Sequence, residues 1–342
     1  MMLLRRGVLF SASTAFLQII FLPLAANGQT GSNQSTSVQA DVELQHPAQS
    51  LAFSLGLPAD TAVKLNEAVA GHNYIAAEKL LLSELQIDQT SPRAARLLAY
   101  LGSVYFLNHD YLSAAVAWKK SDAMQPIEPS LQFSLAMAYV QIGHPAWATP
   151  VLEKLSSQSP ANPLYPYWLG RLDYDAQHYA DAIAHIEKAV ELDPKMARAY
   201  DNLGLCYFAQ NDNDRAIINY QKAIALNNEA ATPSAVPYLN LAIAQQSLNR
   251  SDQAETNIRE ALRIDPKLAP AHYRLASILE DKGKLQSAIE ELSEAAKLDD
   301  QYAEPHLALA RIYKKLNLTE EANEQVHIYQ RLHAPSEPHR QQ

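Results

Sequence analysis

Histidines are the side chains of this 342-residue chain that could most readily bind a metal ion or move a proton, and there are eleven of them. His272 and His306 stand 34 residues apart, and we interpret both as packing residues, with a metal pair as the alternative. His178 and His185 lie on either side of a predicted turn and lack the one-face helical spacing of zinc ligands. The histidines therefore predict no metal site.

The other residue patterns that could do chemistry are equally weak. Residues 211–214 have the sequence NDND, which resembles a calcium-binding loop, but the following glycine and the distant glutamate of such a loop are missing. There is no glycine-rich phosphate loop and no nucleophile elbow. The one cysteine, Cys206, falls on an apolar helical stripe and is interpreted as a buried spacer. The sequence thus predicts no catalytic residue, no metal and no cofactor, and the chain is not expected to be an enzyme.

A repeat of 34 residues defines the elements that must position any functional side chain. A small residue stands twelve positions before each of seven regularly spaced alanines, and a Leu precedes that small residue every time. Pro, Asn or Asp follows twelve positions after six of the seven alanines. Five of the six steps between the alanines are 34 residues and one is 38: Ala114, Ala148, Ala182, Ala216, Ala254, Ala288 and Ala322.

The residue pattern of each repeat predicts two antiparallel helices. Apolar residues recur at three- and four-residue spacing in residues 199–208 and again in 214–224, and a short polar turn joins the two stretches. Two helices that cross closely need Gly or Ala where their backbones approach, because a larger side chain would force them apart. The packing residues predicted for this unit are Leu203, Gly204, Tyr207, Ala216, Tyr220 and Ala223.

This pattern resembles the tetratricopeptide-repeat (TPR) family, whose 34-residue motif places Leu-Gly, Tyr, Ala, an aromatic residue, Ala and Pro at these positions. The resemblance implies an all-α fold, a right-handed solenoid of antiparallel helix pairs with about seven clear repeats and one degenerate repeat in front. The solenoid is predicted over residues 51–333. Its repeats are expected near 57–92, 95–128, 129–162, 163–196, 197–230, 235–268, 269–302 and 303–332.

The single break in the period lies in residues 229–237, where four extra residues separate two repeats. We interpret them as a tolerated surface insertion, and the alternative is a lip on the binding groove or a local change of superhelix pitch.

The N-terminus has the three parts of an export signal. Arg5 and Arg6 supply positive charge, residues 7–25 are mostly apolar, and Ala26 and Gly28 have the spacing of a cleavage site. Residues 1–28 are therefore predicted to be a signal peptide, with an uncleaved membrane anchor through residues 7–26 as the alternative. A polar, disordered linker is predicted for residues 29–50, and a polar tail for 334–342.

In the TPR family the first helix of each pair lines the concave face, and the resemblance implies that ligand contacts come from that helix. The middle of this groove is aromatic and contains Arg, which suits a protein segment with apolar anchors and a carboxylate. The alternative is that these side chains only pack against the next repeat. The candidates are Phe133, Tyr167, Arg171, Tyr174, Arg198, Asp201, Asn202, Phe208, Asn240 and Arg274.

One binding mode of the family is excluded by the residues present. Chaperone-tail binders hold two carboxylates with a clamp of Lys and Asn, and in this chain none of the expected Lys positions holds a Lys. Those positions are Ala99, Phe133, Tyr167, Asp201, Leu239, Tyr273 and Leu307.

Charge restricts the class of partner. The chain has a net charge of −9, and because the first 28 residues are positive, the remainder carries about −11. Nucleic acid is therefore not an expected partner. We predict a non-catalytic adaptor that binds other proteins, through their peptide segments or helices, in the periplasm or the secreted space. The alternative is a self-associating scaffold of a membrane-associated complex that uses its convex face or end repeats.

Overall fold

The computed structural model describes residues 54–230 and 232–333. The predicted export signal, linker and tail, at residues 1–28, 29–50 and 334–342, lie outside the described residues. The described chain forms two compact units, and the division falls within the four-residue insertion. Within the described residues there are sixteen helices and no strand, which confirms the predicted all-α fold.

Residues 54–230 contain ten helices, each packed against the next in an up-and-down order. They are α1 Ala59–Ala70, α2 Tyr74–Ile87, α3 Pro92–Leu107, α4 Tyr111–Met124, α5 Pro129–Gln141, α6 Pro145–Gln158, α7 Leu164–Asp175, α8 Tyr179–Leu192, α9 Ala197–Ala209 and α10 Asn213–Asn227.

Residues 232–333 contain six helices in the same order of packing. They are α11 Val236–Ser247, α12 Ser251–Ile264, α13 Ala269–Asp281, α14 Leu285–Leu298, α15 Ala303–Lys315 and α16 Thr319–His333. The number of TPR repeats among these pairs stays a prediction.

The turn inside each helix pair has one residue in the left-handed region of backbone conformation. After α3, for example, His109 has a φ of 59°, its amide donates to the carbonyl oxygen of Phe106, and the amide of Asp110 donates to that of Tyr105. This is the hydrogen-bonding pattern of a Schellman helix end. The left-handed residues keep the 34-residue spacing from the second pair to the fifth and from the sixth to the eighth: His72, His109, Gly143, Gln177, Asn211, Asn249, Gly283 and Asn317.

The polar turn predicted at residues 211–214 is shorter than expected. Asn213 and Asp214 already belong to α10, because Asp212 caps that helix by accepting a hydrogen bond from the amide of Arg215 at 3.1 Å. A strong capping residue therefore starts the helix two residues earlier than the run of polar residues suggested.

The glycines of the repeat lie where two helices of a pair touch. A Cβ on Gly102 would come within 2.6 Å of the Trp118 ring, and one on Gly204 would overlap the ring of Tyr220. Sixteen residues separate the members of each pair. The close approach that the small residues predicted is thus present between α3 and α4 and between α9 and α10.

No described helix combines the length and the apolar character that crossing a membrane requires.

Candidate partner-binding site

Three of the predicted groove residues meet around a fourth, which is a buried tyrosine. Tyr167 of α7 is 3% exposed, and the guanidinium carbon of Arg198, on α9, lies 4.7 Å from the centre of its ring. The Nδ2 group of Asn202 donates to the Tyr167 hydroxyl at 3.2 Å and to the Arg198 carbonyl oxygen at 2.7 Å. Residues from two successive first helices are therefore tied together at the Tyr167 ring.

Arg171 approaches the same tyrosine from its own helix. Its Nη1 donates to the Tyr167 hydroxyl at 3.4 Å, and its guanidinium carbon lies 5.6 Å from the centre of the Trp168 ring. Burial opposes the positive charge, but Tyr167 and the carboxylates of Asp175 and Asp201 outweigh that effect, so the pKa of Arg171 is raised. The guanidinium is charged at any physiological pH.

Arg198 differs from Arg171 in its hydrogen bonds. Its Nε and Nη2 are buried and find no hydrogen-bond partner within the described residues. Burial, together with the nearby positive charge of Arg171, lowers the pKa of Arg198, although Tyr167 and Asp193 oppose this. A buried donor without a partner lowers the free energy of unfolding by about 1–3 kcal/mol, and by more when it is charged. The Arg198 guanidinium therefore destabilises the folded chain.

Acidic and phenolic groups surround the two arginines. Tyr174 lies at the end of α7 with its ring 5.6 Å from that of Tyr179, and burial raises the pKa of its hydroxyl. Burial also raises the pKa of Asp175, against the effect of Arg171. Asp201 is 9% exposed. The site is therefore a half-buried mixture of arginine, tyrosine and carboxylate side chains.

The remaining candidates are not part of this cluster. Phe133 of α5 is 5% exposed and packs against Tyr165, with 5.9 Å between ring centres, while Phe208 is half-buried near the end of α9. Asn240 of α11 is buried, and Arg274 of α13 lies over the ring of Tyr273 at 5.9 Å, both in the unit of residues 232–333. Partner contact by any of the ten candidates stays a prediction.

The groups considered for metal or thiol chemistry are engaged in ordinary contacts. Nδ1 of His272 is bonded to Glu291 at 2.6 Å, and that of His306 to Gln325 at 2.7 Å. Among the described residues, no three His, Cys, Asp or Glu side chains come together as a metal site. Cys206 is fully buried, and burial raises the pKa of its thiol to about 12, which keeps it protonated and unreactive.

Sequence reasoning missed two features of the described residues. The first is Trp168, which follows Tyr167 and whose ring faces Arg171. It was not predicted as a site residue because it does not occupy one of the predicted ligand positions of the first helix. The second is a set of exposed apolar residues on the second helices: Ile75, Leu112, Val116, Trp147 and Ile218. A count of apolar residues at repeat positions that are normally polar would have found that set.

Comparison with known families finds a match for part of the repeat. Tetratricopeptide-repeat profiles match residues 167–196, 195–267 and 239–303. Residues 167–303 are thus similar to tetratricopeptide repeats. They include most of α7 and all of α9, so the cluster around Tyr167 lies on the first helices of two successive helix pairs within the matched residues.

Solved structures share the TPR fold with this chain at low sequence identity. A TPR protein from Parabacteroides merdae ATCC 43184 is 15% identical and aligns with 78% of this chain and 98% of its own, with a TM-score of 0.60. PilW, a type IV pilus biogenesis factor, is 21% identical over 59% of this chain and 92% of its own, with a TM-score of 0.54. Yeast Tom70 is 17% identical over 92% of this chain and 63% of its own, with a TM-score of 0.55.

Similar sequences occur inside much longer proteins. Protein O-mannosyl-transferase TMTC1 of Homo sapiens is 25% identical over 202 residues, which is 58% of this chain and 22% of that protein. Superkiller complex protein 3 of Mus musculus is 23% identical over 189 residues, 52% of this chain and 12% of that protein. The chain thus spans less than a quarter of the length of these relatives.

Proposed function

We propose that this TPR protein is a non-catalytic adaptor that binds segments of partner proteins on the first helices of residues 54–230. One observation carries the proposal: Tyr167, Arg171, Arg198 and Asn202 form a connected cluster on successive first helices, and its two arginines form no ion pair within the described residues. Aromatic and arginine side chains of this kind supply most of the binding energy at protein interfaces.

The place of action is proposed on the sequence of the N-terminus. The predicted signal at residues 1–28 would deliver the adaptor to the periplasm or the secreted space, and an uncleaved segment at 7–26 would instead tether it to the inner membrane. The proposed partners are proteins of that space. Net negative charge supports protein rather than nucleic-acid partners.

The first test is a crosslinking pull-down from the native envelope that compares wild type with an Arg171→Glu, Phe208→Ala variant. We expect one set of proteins to disappear with the variant, while an Arg331→Glu control on the last helix keeps them. Circular dichroism at equal concentration checks that both variants stay helical, and Arg171→Gln repeats the test without an added negative charge. An unchanged set of captured proteins with both Arg171 variants overturns the proposed site.

A second candidate function, self-association as a scaffold, is favoured by the exposed second helices. Leu112 and Val116 of α4 are 60% and 58% exposed, and Trp147 of α6, which stacks on His144 at 4.1 Å, is 50% exposed. Residues 129–152 contain no Asp, Glu, Lys or Arg. Exposed apolar groups beside an uncharged segment are typical of a protein interface.

The repeat offers an internal comparison for this face. The positions equivalent to Leu112 and Val116 hold Ala146 and Pro150 in the next helix pair, and Ala180 and Ala184 in the pair after that. In residues 232–333 the same positions are polar: Asp252, Thr256, Gln286, Glu290, Glu320 and Glu324. The last helix pair of residues 54–230 holds Asp214 and Ile218 there, so the outward positions are apolar on α4, α6 and α8, mixed on α10, and polar in residues 232–333.

Sedimentation velocity over a range of concentrations tests the scaffold function. Self-association should give a concentration-dependent mass for wild type that Leu112→Glu, Val116→Glu abolishes. Thr256→Glu, at the position equivalent to Val116, is the matched control and should change nothing. A wild-type mass that is independent of concentration removes this candidate.

A further inference from the structure

The second helices of residues 54–230 form a row with α6 at its centre. They are α2, α4, α6, α8 and α10, and because successive helices pack in an up-and-down order, these five run in the same direction. Residues at equivalent repeat positions therefore lie at similar heights along α4, α6 and α8. Both the apolar and the charged residues of this outward face change in a regular way from α4 to α8.

Side-chain size falls from one side of α6 to the other. Leu112 and Val116 of α4 are large apolar residues with more than half of their surface exposed. Ala180 and Ala184 of α8 occupy the equivalent positions and are also exposed. One side of α6 therefore presents large apolar groups, and the other side presents small apolar residues on which such groups can pack.

Charge changes sign across the same three helices. The exposed charged residues give α4 a net charge of +2, α6 a net charge of zero and α8 a net charge of −2. They are two lysines on α4, a glutamate and a lysine on α6, and an aspartate, two glutamates and a lysine on α8. Lys119 of α4 and Glu187 of α8 occupy equivalent positions. The charge on one side of α6 is thus opposite to the charge on the other side.

This arrangement is complementary to a second copy of itself. Two copies that meet face to face about a two-fold axis along α6 place α4 of one copy on α8 of the other, at the same height. Leu112 and Val116 then lie on Ala180 and Ala184, and Lys119 lies opposite Glu187, in both halves of the contact. An axis that crosses the helices instead places each helix on its own copy, with lysines against lysines, which is unfavourable.

We infer that the outward face of α4, α6 and α8 binds a second copy of this chain about a two-fold axis along α6. This rests on the self-association proposed above as a second function, and it states which helices meet. At the axis α6 lies on α6, where the small side chain of Ala146 permits a close approach and Glu153 lies near Lys154 of the other copy. A lipid surface binds exposed apolar residues as well, but it gains nothing from opposite charges on the two sides of α6.

Charge reversal tests the pairing of α4 with α8. Lys119→Glu and Glu187→Lys each place like charges opposite one another, so either variant alone should associate at least several-fold more weakly than wild type in sedimentation velocity at low salt. An equimolar mixture of the two restores opposite charges at both contacts and should recover the wild-type association. Ser293→Glu, at the position equivalent to Lys119 in residues 232–333, is the control and should change nothing.

Some loss in Glu187→Lys can come from the fold, because Glu187 accepts a hydrogen bond from the Tyr207 hydroxyl at 3.0 Å. Circular dichroism at equal concentration checks that the variants stay helical. Recovery in the mixture cannot come from the fold, since neither chain regains its own side chain. A mixture that associates no better than the separate variants overturns the inference.

Crosslinking tests the direction of the axis in the full-length chain. The native Cys206 is buried, so a short bismaleimide reacts with introduced cysteines only. We expect Val116→Cys to link to a differently tagged Ala184→Cys several-fold more than to itself, while Thr256→Cys, equivalent to Val116, gives no link. Links of Val116→Cys to itself in excess would place the axis across the helices and overturn the inference.

The two measurements separate this inference from the proposed self-association. A concentration-dependent mass without recovery in the mixture and without the Val116–Ala184 link means that the chain self-associates through other contacts. A wild-type mass that is independent of concentration removes both. If phosphatidylcholine vesicles then protect Val116→Cys from maleimide, lipid rather than a second copy covers this face.

Discussion

At the scale of single residues, the small residue of a helix pair lies against the side chain sixteen positions later, and the largest of these side chains face glycine. Gly102 and Gly204 face Trp118 and Tyr220, the two largest fully buried side chains. Where the small position holds Ala, the partner position holds a branched aliphatic residue, as in Ala136 with Leu152. Gly170 faces the smaller Ile186, and a Cβ there would also lie 2.8 Å from the carbonyl oxygen of Ala182, so the close approach of the two backbones excludes a methyl group at that pair.

The contact between Gly204 and the Tyr220 ring predicts that Gly204→Ala destabilises the fold. The added methyl group overlaps the Tyr220 ring, so the free energy of unfolding should fall by about 1–3 kcal/mol. Combining it with Tyr220→Leu recreates the Ala–Leu pair found at positions 136 and 152 and should recover about 0.5–3 kcal/mol relative to the sum of the single changes. Urea unfolding of the four proteins measures the coupling, and strictly additive effects would show that the volumes are not matched.

At the scale of helix pairs, two successive hairpins differ in the group that binds an equivalent histidine, which is a carboxylate in one and an amide in the other. His272 of α13 is bonded to Glu291 of α14, and His306 of α15 to Gln325 of α16, at equivalent positions. The hydrogen bond to Glu291, opposed by burial and assisted by the Pro266 carbonyl oxygen, raises the pKa of His272 above 6.5. The first hairpin is therefore stabilised by an ion pair that depends on pH.

This pair predicts a pH-dependent difference between wild type and Glu291→Gln. Because the folded pKa of His272 is raised, its stabilisation is fully present below pH 6.5 and is lost as the pH rises through the folded value. The wild-type advantage in the free energy of unfolding should be largest near pH 5.5 and shrink by pH 8.5. Chemical denaturation at both pH values checks this, with Gln325→Ala as a control that lacks the dependence; an advantage that grows with pH contradicts it.

At the scale of the whole molecule, the two units differ in the number of ion pairs between successive hairpins. In residues 232–333, Lys282 pairs with Asp252 and Glu255, and Glu280 pairs with Arg311 at 2.6 Å and with Lys315 at 2.6 Å. In residues 54–230, Arg93 of α3 pairs with Glu84 of α2, and no ion pair joins successive hairpins in the described residues 94–230. Salt should therefore act more strongly on residues 232–333 than on residues 94–230.

Hydrogen exchange measured by mass spectrometry at low and high sodium chloride tests that difference. Screening weakens the ion pairs, so amides of α12, α13 and α15 should lose more protection at high salt than those of α5, α7 and α9. Glu280→Gln should remove most of the salt effect in α13 and α15. Equal changes in both units, or a larger change in residues 94–230, would refute the prediction.

The sequence predicted the helix pairs well because the motif residues are the packing residues. Gly204, Tyr220 and Ala216 are conspicuous by their spacing, and the residues that end helices, such as Pro126 and Pro194, follow each second helix within two residues. The site was predicted less completely. Nothing in the sequence shows that Arg198 lacks a hydrogen-bond partner while Arg215 has one, because that depends on which carboxylate packing brings within reach.

The left-handed residue in each turn marks where insertions have lengthened the chain. Its spacing from Gln177 to Asn211 is the repeat itself, and from Asn211 to Asn249 it is longer by four residues, all of them between α10 and α11. This insertion leaves the hairpins on both sides and their turns whole, whereas the 37-residue step from His72 to His109 is taken up by the 16-residue helix α3. In-frame duplication or loss of one hairpin would leave every remaining turn intact, so related genes should differ in the number of hairpins.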